Sequence, residues 1–117
     1  MNYHLIWCPK YRRAVLVGSI KKRLERLLSE TCATLAVELM ALEVMPDHLH
    51  MFVSASPTLS VPVIVKMLKG RSSRVLRTEY SHLKRMPSLW TSSYFVSTAG
   101  NVSSETVKRY IEAQGTR

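Results

Sequence analysis

Val37-Glu38-Leu39-Met40-Ala41-Leu42-Glu43-Val44-Met45-Pro46-Asp47-His48-Leu49-His50-Met51-Phe52-Val53 is the stretch whose pattern decides the fold. From Val37 to Val44 it is mostly apolar, with β-branched and long side chains, and from His48 to Val53 it alternates. Pro46-Asp47 punctuates the two halves, so the segment reads as an antiparallel hairpin with its turn at Met45-Pro46-Asp47. Residues two apart on a strand share one face, roughly 6.6–7 Å apart. Leu49, Met51 and Val53 are therefore expected toward the core, and His48 and His50 together on the other side.

Outward from the hairpin, the N-terminal flank supplies one strand and one helix, and the C-terminal flank one strand and two helices. Tyr3-His4-Leu5-Ile6-Trp7-Cys8 is aromatic and β-branched and reads as a strand that Pro9 ends. Ser19 is a helix-cap candidate, and Ile20, Leu24, Leu27, Leu28 and Leu35 keep the helical period behind it. After Pro57 a second helix is predicted from about Ser60 to Arg77, with Pro62 tolerated in its first turn. Its apolar stripe is Ile64, Leu68, Val75 and Leu76, and Gly70 weakens it. A polar stretch with Pro87 leads to Trp90, Tyr94 to Thr98 reads as a last short strand, and Gly100-Asn101 breaks it. Ser103 or Ser104 then caps a final helix with Val107, Tyr110, Ile111 and Gln114 on one stripe. The order β-α-β-β-α-β plus a helix predicts an α+β, ferredoxin-like (split βαβ, RRM-like) fold. Its antiparallel four-stranded sheet carries helices on one face, with a C-terminal helix in addition. The sheet's second face must be covered or left to a ligand.

Length and charge narrow the class. The 117 residues suit one domain over 1–117. Lys and Arg number 17 against 8 Asp and Glu, a net charge of +9 and a pI near 10.0, which points to phosphate-bearing partners. An apolar fraction of 46% argues against disorder. No apolar run reaches membrane length and no signal-peptide pattern opens the chain, so no membrane and a cytoplasmic location are expected. Cys8 and Cys32 are the only cysteines, too far apart for a Cys-x-x-Cys motif. A disulfide framework and a cysteine-rich zinc module are unexpected.

Two groups of residues suggest chemistry. His48 and His50 on one strand face suit a divalent metal, or else sit unliganded at a hairpin's wet edge, and a third ligand must come from elsewhere. Gln114 offers a neutral oxygen suited to Mg²⁺ or Mn²⁺, and Tyr110, one turn earlier, offers a phenol nucleophile. The competing reading makes this stripe simple helix packing. Lys10, Arg12 and Arg13 interleave with Tyr11, and Lys66, Lys69, Arg71, Arg74 and Arg77 follow the second helix. Lys84 and Arg85 extend the cluster. With Glu79 the one acid near the second helix's basic residues, a phosphate-tracking surface is expected.

Taken in order, these residues resemble the single-tyrosine HUH transposases. The resemblance rests on five stretches in register between Tyr3 and Gly115. They are Tyr3-His4-Leu5-Ile6-Trp7 with Pro9-Lys10-Tyr11-Arg12-Arg13, Met45-Pro46-Asp47-His48-Leu49-His50, and Lys69-Gly70-Arg71-Ser72-Ser73-Arg74. Leu89-Trp90 through Tyr94-Phe95-Val96-Ser97-Thr98, and Val107-Lys108-Arg109-Tyr110-Ile111-Glu112 with Gln114, complete the set. In this chain Tyr3 stands almost at the start and the sequence ends shortly after Gln114, where members of the family often extend further. The resemblance implies a transposase that moves small bacterial and archaeal insertion sequences as single-stranded DNA through a 5′-phosphotyrosine link. By the same resemblance His48, His50 and Gln114 would hold Mg²⁺ or Mn²⁺, and Tyr110 would be the nucleophile. The implied partners are DNA hairpins at element ends and a second copy of the chain, the active sites being shared between subunits. Two alternatives stand beside it: a non-catalytic single-stranded nucleic-acid-binding module, and a metal-dependent phosphodiesterase that needs no tyrosine. Against an RRM-type binder, Tyr94 and Phe95 are adjacent on a strand and face opposite sides.

Overall fold

A computed structural model describes residues 1–98 and 104–114. The elements are β1 (Asn2–Trp7), α1 (Gly18–Thr34), β2 (Glu38–Met45), β3 (His48–Ser54), α2 (Val61–Glu79), β4 (Phe95–Ser97) and α3 (Ser104–Gln114). Two 3-10 turns, Lys10–Arg12 and Ser81–Arg85, complete it. The strands form one antiparallel sheet in the order β2-β3-β1-β4, the ferredoxin-like arrangement expected from the sequence. Among the described residues no helix is long and apolar enough to cross a membrane.

The hairpin turns on Pro46-Asp47 alone, pairing Met45 with His48, Val44 with Leu49 and Glu43 with His50. A bulge between Leu39 and Ala41 interrupts the same ladder. Alternation along β3 buries Leu49, Met51 and Val53 completely, each burial contributing about 1.5–3 kcal/mol. They join Tyr3, Leu5 and Trp7 of β1, Leu24, Leu27 and Leu28 of α1, and Ile64, Leu68 and Leu76 of α2 in one core. Helices α1 and α2 thus back one face of the sheet.

Three local expectations shift. α1 starts after Val17, with Gly18 at φ 57°, so Ser19 lies inside the first turn instead of capping it. β4 is trimmed to Phe95–Ser97, with Tyr94 packed against the core. α2 begins where expected, the Ser60 hydroxyl accepting from the Val63 amide at 3.4 Å, but runs two residues further, to Glu79. Gly70 does not interrupt it. Gly100, Asn101 and Ser103, read as a break and a cap, lie outside the described residues.

The segment before β4 is more ordered than its polar composition suggests. Trp90 bridges to Pro9, the Lys10 amide donates to the Leu89 carbonyl at 2.8 Å, and the Thr91 amide donates to the Cys8 carbonyl at 3.0 Å. The Trp90 indole donates to the Ser72 hydroxyl of α2 at 3.0 Å. Residues 89–91 are thereby fixed between the end of β1 and α2.

Candidate active site

The sheet's far face carries Met45, Glu43 and Ala41 of β2, His48, His50 and Phe52 of β3, His4 and Ile6 of β1, and Phe95 of β4, as the strand register requires. α3 lies over part of it. The Tyr110 and Phe95 rings are 6.1 Å apart, and the Arg12 guanidinium donates to the Ile111 carbonyl at 3.3 Å. Val107, Lys108, Ile111 and Glu112 of α3 line a cleft of about 370 Å³ with Arg12, Asp47 and His48.

His48 is oriented from the turn. Its Nδ1 lies 2.9 Å from Asp47 Oδ1, and Asp47 Oδ2 is 3.2 Å from Arg12 Nε. Binding at Nδ1 leaves Nε2 as the atom for a ligand, the arrangement in which a carboxylate fixes a metal-binding imidazole. Arg12 reaches Asp47 from a strained backbone, since Tyr11 and Arg12 take φ of 59° and 53° in succession. Non-glycine residues in that region cost of the order of 1 kcal/mol or more each, which the packing around them must offset.

His50 sits beside His4, with 3.2 Å between His50 Nε2 and His4 Nδ1, so one ring donates and the other accepts. His4 is buried and stacks on Phe52 at 4.3 Å between centroids. Burial, helped by His4, holds the His50 pKa below the ordinary 6.5. A neutral imidazole at neutral pH is the form that ligates metal.

Tyr110 and Gln114 meet a third residue, Ser93. Its hydroxyl donates to Gln114 Oε1 at 2.8 Å and lies 3.4 Å from the Tyr110 hydroxyl. Gln114 is buried at 4% exposure, so its polar end is held by contacts within the protein. Imidazole and amide oxygen are donor types that suit Mn²⁺, or Mg²⁺ with water completing its shell. Gln114, however, is bonded to Ser93, and the α3 side chains that share a cleft with His48 are Val107, Lys108, Ile111 and Glu112. Among the described residues no group of three or more His, Cys, Asp or Glu side chains is placed to hold a metal ion.

The basic residues divide. Lys66 and Arg74 are exposed and line a groove on α2 with Met67, Gly70 and Arg71. Lys10 and Arg13 flank the Tyr11 ring at 5.4 and 5.9 Å. The others depart from a single phosphate-tracking stripe. Lys69 Nζ turns inward to the carbonyls of Thr91 at 2.6 Å and Ser93 at 3.2 Å. Arg71 bonds Glu30 and Thr31 of α1, and Arg77 donates to the Met86 carbonyl at 2.9 Å. Helical spacing puts these cations side by side, but each long side chain follows an acceptor of its own.

Residues 1–114 match the family model described as "Transposase IS200 like". The chain belongs to the IS200-like transposase family. It is 40% identical to the ISDra2 transposase TnpA of Deinococcus radiodurans, over 97% of this chain and 84% of that protein. It is 31% identical to the transposase of insertion sequence IS200 from Salmonella typhimurium, over 97% of this chain and 76% of that one. A crystal structure of a transposase from Deinococcus radiodurans superposes with a TM-score of 0.91 at 40% identity, covering 97% of this chain and 90% of the other. A tyrosine transposase bound to a REP hairpin shares the fold alone, with a TM-score of 0.64 at 12% identity over 95% and 62% of the two chains. For this IS200-like transposase the sequence reading did not single out His4, Asp47 or Ser93 as site residues. Period two along β1 carried a signal for His4, because Tyr3, Leu5 and Trp7 claim the opposite face. Ser93 carried none, standing in a polar run whose course depends on Trp90.

Proposed function

We propose that this transposase cleaves and rejoins single-stranded DNA through a covalent bond between Tyr110 and a 5′-phosphate. The single observation that carries the reading is the placement of α3 on the sheet face that bears both histidines, with His48 and α3 lining one cleft. In the step proposed, Tyr110 Oη attacks phosphorus and the bond from phosphorus to the 3′-oxygen breaks. The phenol proton is lost, and the departing oxygen takes up a proton as a free 3′-hydroxyl. The new ester resembles the old one in energy, so a second 3′-hydroxyl reverses the step and joins different ends without ATP. His48, His50 and Gln114 would hold Mg²⁺ or Mn²⁺. When bound, the ion would supply Lewis-acid polarisation of the scissile phosphate. Asp47 keeps His48 oriented, and Arg12 ties that turn to α3. Half-buried Lys10 and exposed Arg13, Lys66 and Arg74 supply positive charge for the strand. By analogy with the hairpin-bound relative, the DNA partner is a hairpin-bearing single strand.

We infer also that the working unit is a homodimer whose sites are shared. α3 is held on its own chain by Arg12, Ser93 and Phe95, and a second copy presents the same surface to an exchanged α3. Incubation with labelled single-stranded element ends and Mg²⁺, followed by a denaturing gel, tests the chemistry. A covalent adduct is expected on single strands and not on duplex, and Tyr110→Phe should abolish it with DNA binding nearly intact. An adduct that survives Tyr110→Phe sinks the reading, and metal-dependent cleavage without any adduct favours a hydrolase.

A further inference from the structure

We propose that Ser93, tethered by the inward-turned ammonium of Lys69, is a positioning residue that sets where Tyr110 and Gln114 stand. This rests on the reading of Tyr110 as nucleophile. Ser93 has one hydroxyl proton, and the 2.8 Å contact to Gln114 Oε1 uses it. Toward Tyr110 its oxygen therefore acts as an acceptor, and at 3.4 Å it draws the phenol hydroxyl toward the same point. One small side chain thus aligns both polar residues of the helix face, one turn apart.

The alignment is only as firm as the backbone of Ser93, and that backbone is anchored from beneath. Lys69 Nζ donates to the Thr91 and Ser93 carbonyls, the Thr91 hydroxyl donates to the Ser93 carbonyl at 3.3 Å, and Trp90 is locked to α2 through Ser72. Lys69 is half-buried, and no acid is among its partners in these contacts. A lysine turned inward against two carbonyls does what a phosphate-binding lysine does not: it fixes a loop. Phe95, next in register after this loop, meets the Tyr110 ring on the same side. From Lys69 through Ser93 to Tyr110, α2 is thereby linked across the sheet's end to α3.

Two measurements on Ser93→Ala and Ser93→Thr test this, one free of metal and DNA. Hydrogen exchange of α3 amides in the metal-free chain should quicken by about fivefold or more in Ser93→Ala, the equivalent of one lost hydrogen bond. Adduct formation on single-stranded DNA should slow by about 10–100-fold at saturating DNA, the scale of a misplaced nucleophile. The half-saturating DNA concentration should stay within about twofold, and Ser93→Thr, which keeps the hydroxyl, should restore both readouts. Lys69→Met should reproduce the Ser93→Ala pattern at a temperature where its melting curve shows it folded. Unchanged exchange and an unchanged adduct rate in Ser93→Ala overturn the proposal, as does a Ser93→Thr chain as slow as Ser93→Ala. A wild-type chain that forms no adduct overturns the nucleophile reading instead, and the exchange measurement then decides the positioning role alone.

Discussion

His48 and His50 are half-buried on the face away from the helix-backed core, and neither is among the core side chains. Alanine at either position removes an imidazole without opening a core cavity, so stability should change by less than about 1 kcal/mol. Metal-dependent cleavage should disappear in the same variants. Thermal melting beside a single-turnover assay checks both, and a variant that unfolds would assign its histidine to packing. Cys8 and Cys32 behave in the opposite way. Burial pushes their thiols from 9.0 up to about 12 and about 11. A raised thiol leaves the native state protonated where the unfolded chain ionises. Its contribution is complete below pH 9 and is lost as pH climbs through 11–12. At pH 8 a thiol reagent should label neither cysteine in the native chain and both in denaturant, and rapid native labelling would contradict the burial. The histidine pair is legible in the sequence because a strand's period of two is written in its own residues. His4 is legible only as to face. Its place beside His50 depends on the register of β1 against β3, which no short stretch records.

α2 shows the same division at the level of an element. Its existence and its start follow from Ser60, Pro62 and the apolar stripe, all local features. Where its cations point is not local, because Lys69, Arg71 and Arg77 answer to acceptors on the 91–93 loop, α1 and the segment after α2. The exposed pair, Lys66 and Arg74, should therefore carry the salt dependence of DNA binding from this helix. Loss of one phosphate contact reduces the slope of log K on log salt by about 0.7 for a single strand. Lys66→Ala and Arg74→Ala should each make the slope shallower by about that amount. Arg71→Ala should leave it nearly unchanged and instead cost up to about 1 kcal/mol of stability, since its bridge to Glu30 is part-exposed. Binding titrations at several salt concentrations beside melting curves separate the two effects. Equal slopes for all three variants would restore a continuous basic stripe.

For the whole molecule, the decisive question is whether α3 serves its own sheet or a partner's. Mixing a Tyr110→Phe chain with a His48→Ala/His50→Ala chain answers it. With shared sites, half the pairings are mixed and each holds one intact site, so roughly a quarter of wild-type cleavage should return. No recovery in mixtures shown to exchange subunits would place each site within one chain. The strand order carries a separate consequence, for how the molecule comes into being. β1 lies inside the sheet, yet its two neighbours are β3 at 48–54 and β4 at 95–97. Helices and the β2–β3 hairpin form from nearby residues, but β1 stays half-paired until the far end of the sheet arrives. Pairings so distant in sequence are slow because the intervening loop must close first. On the ribosome, an emerging chain therefore holds an apolar strand with at least one bare edge until residues 95–97 are available. The sheet that carries the histidines is completed just ahead of the helix that carries the tyrosine.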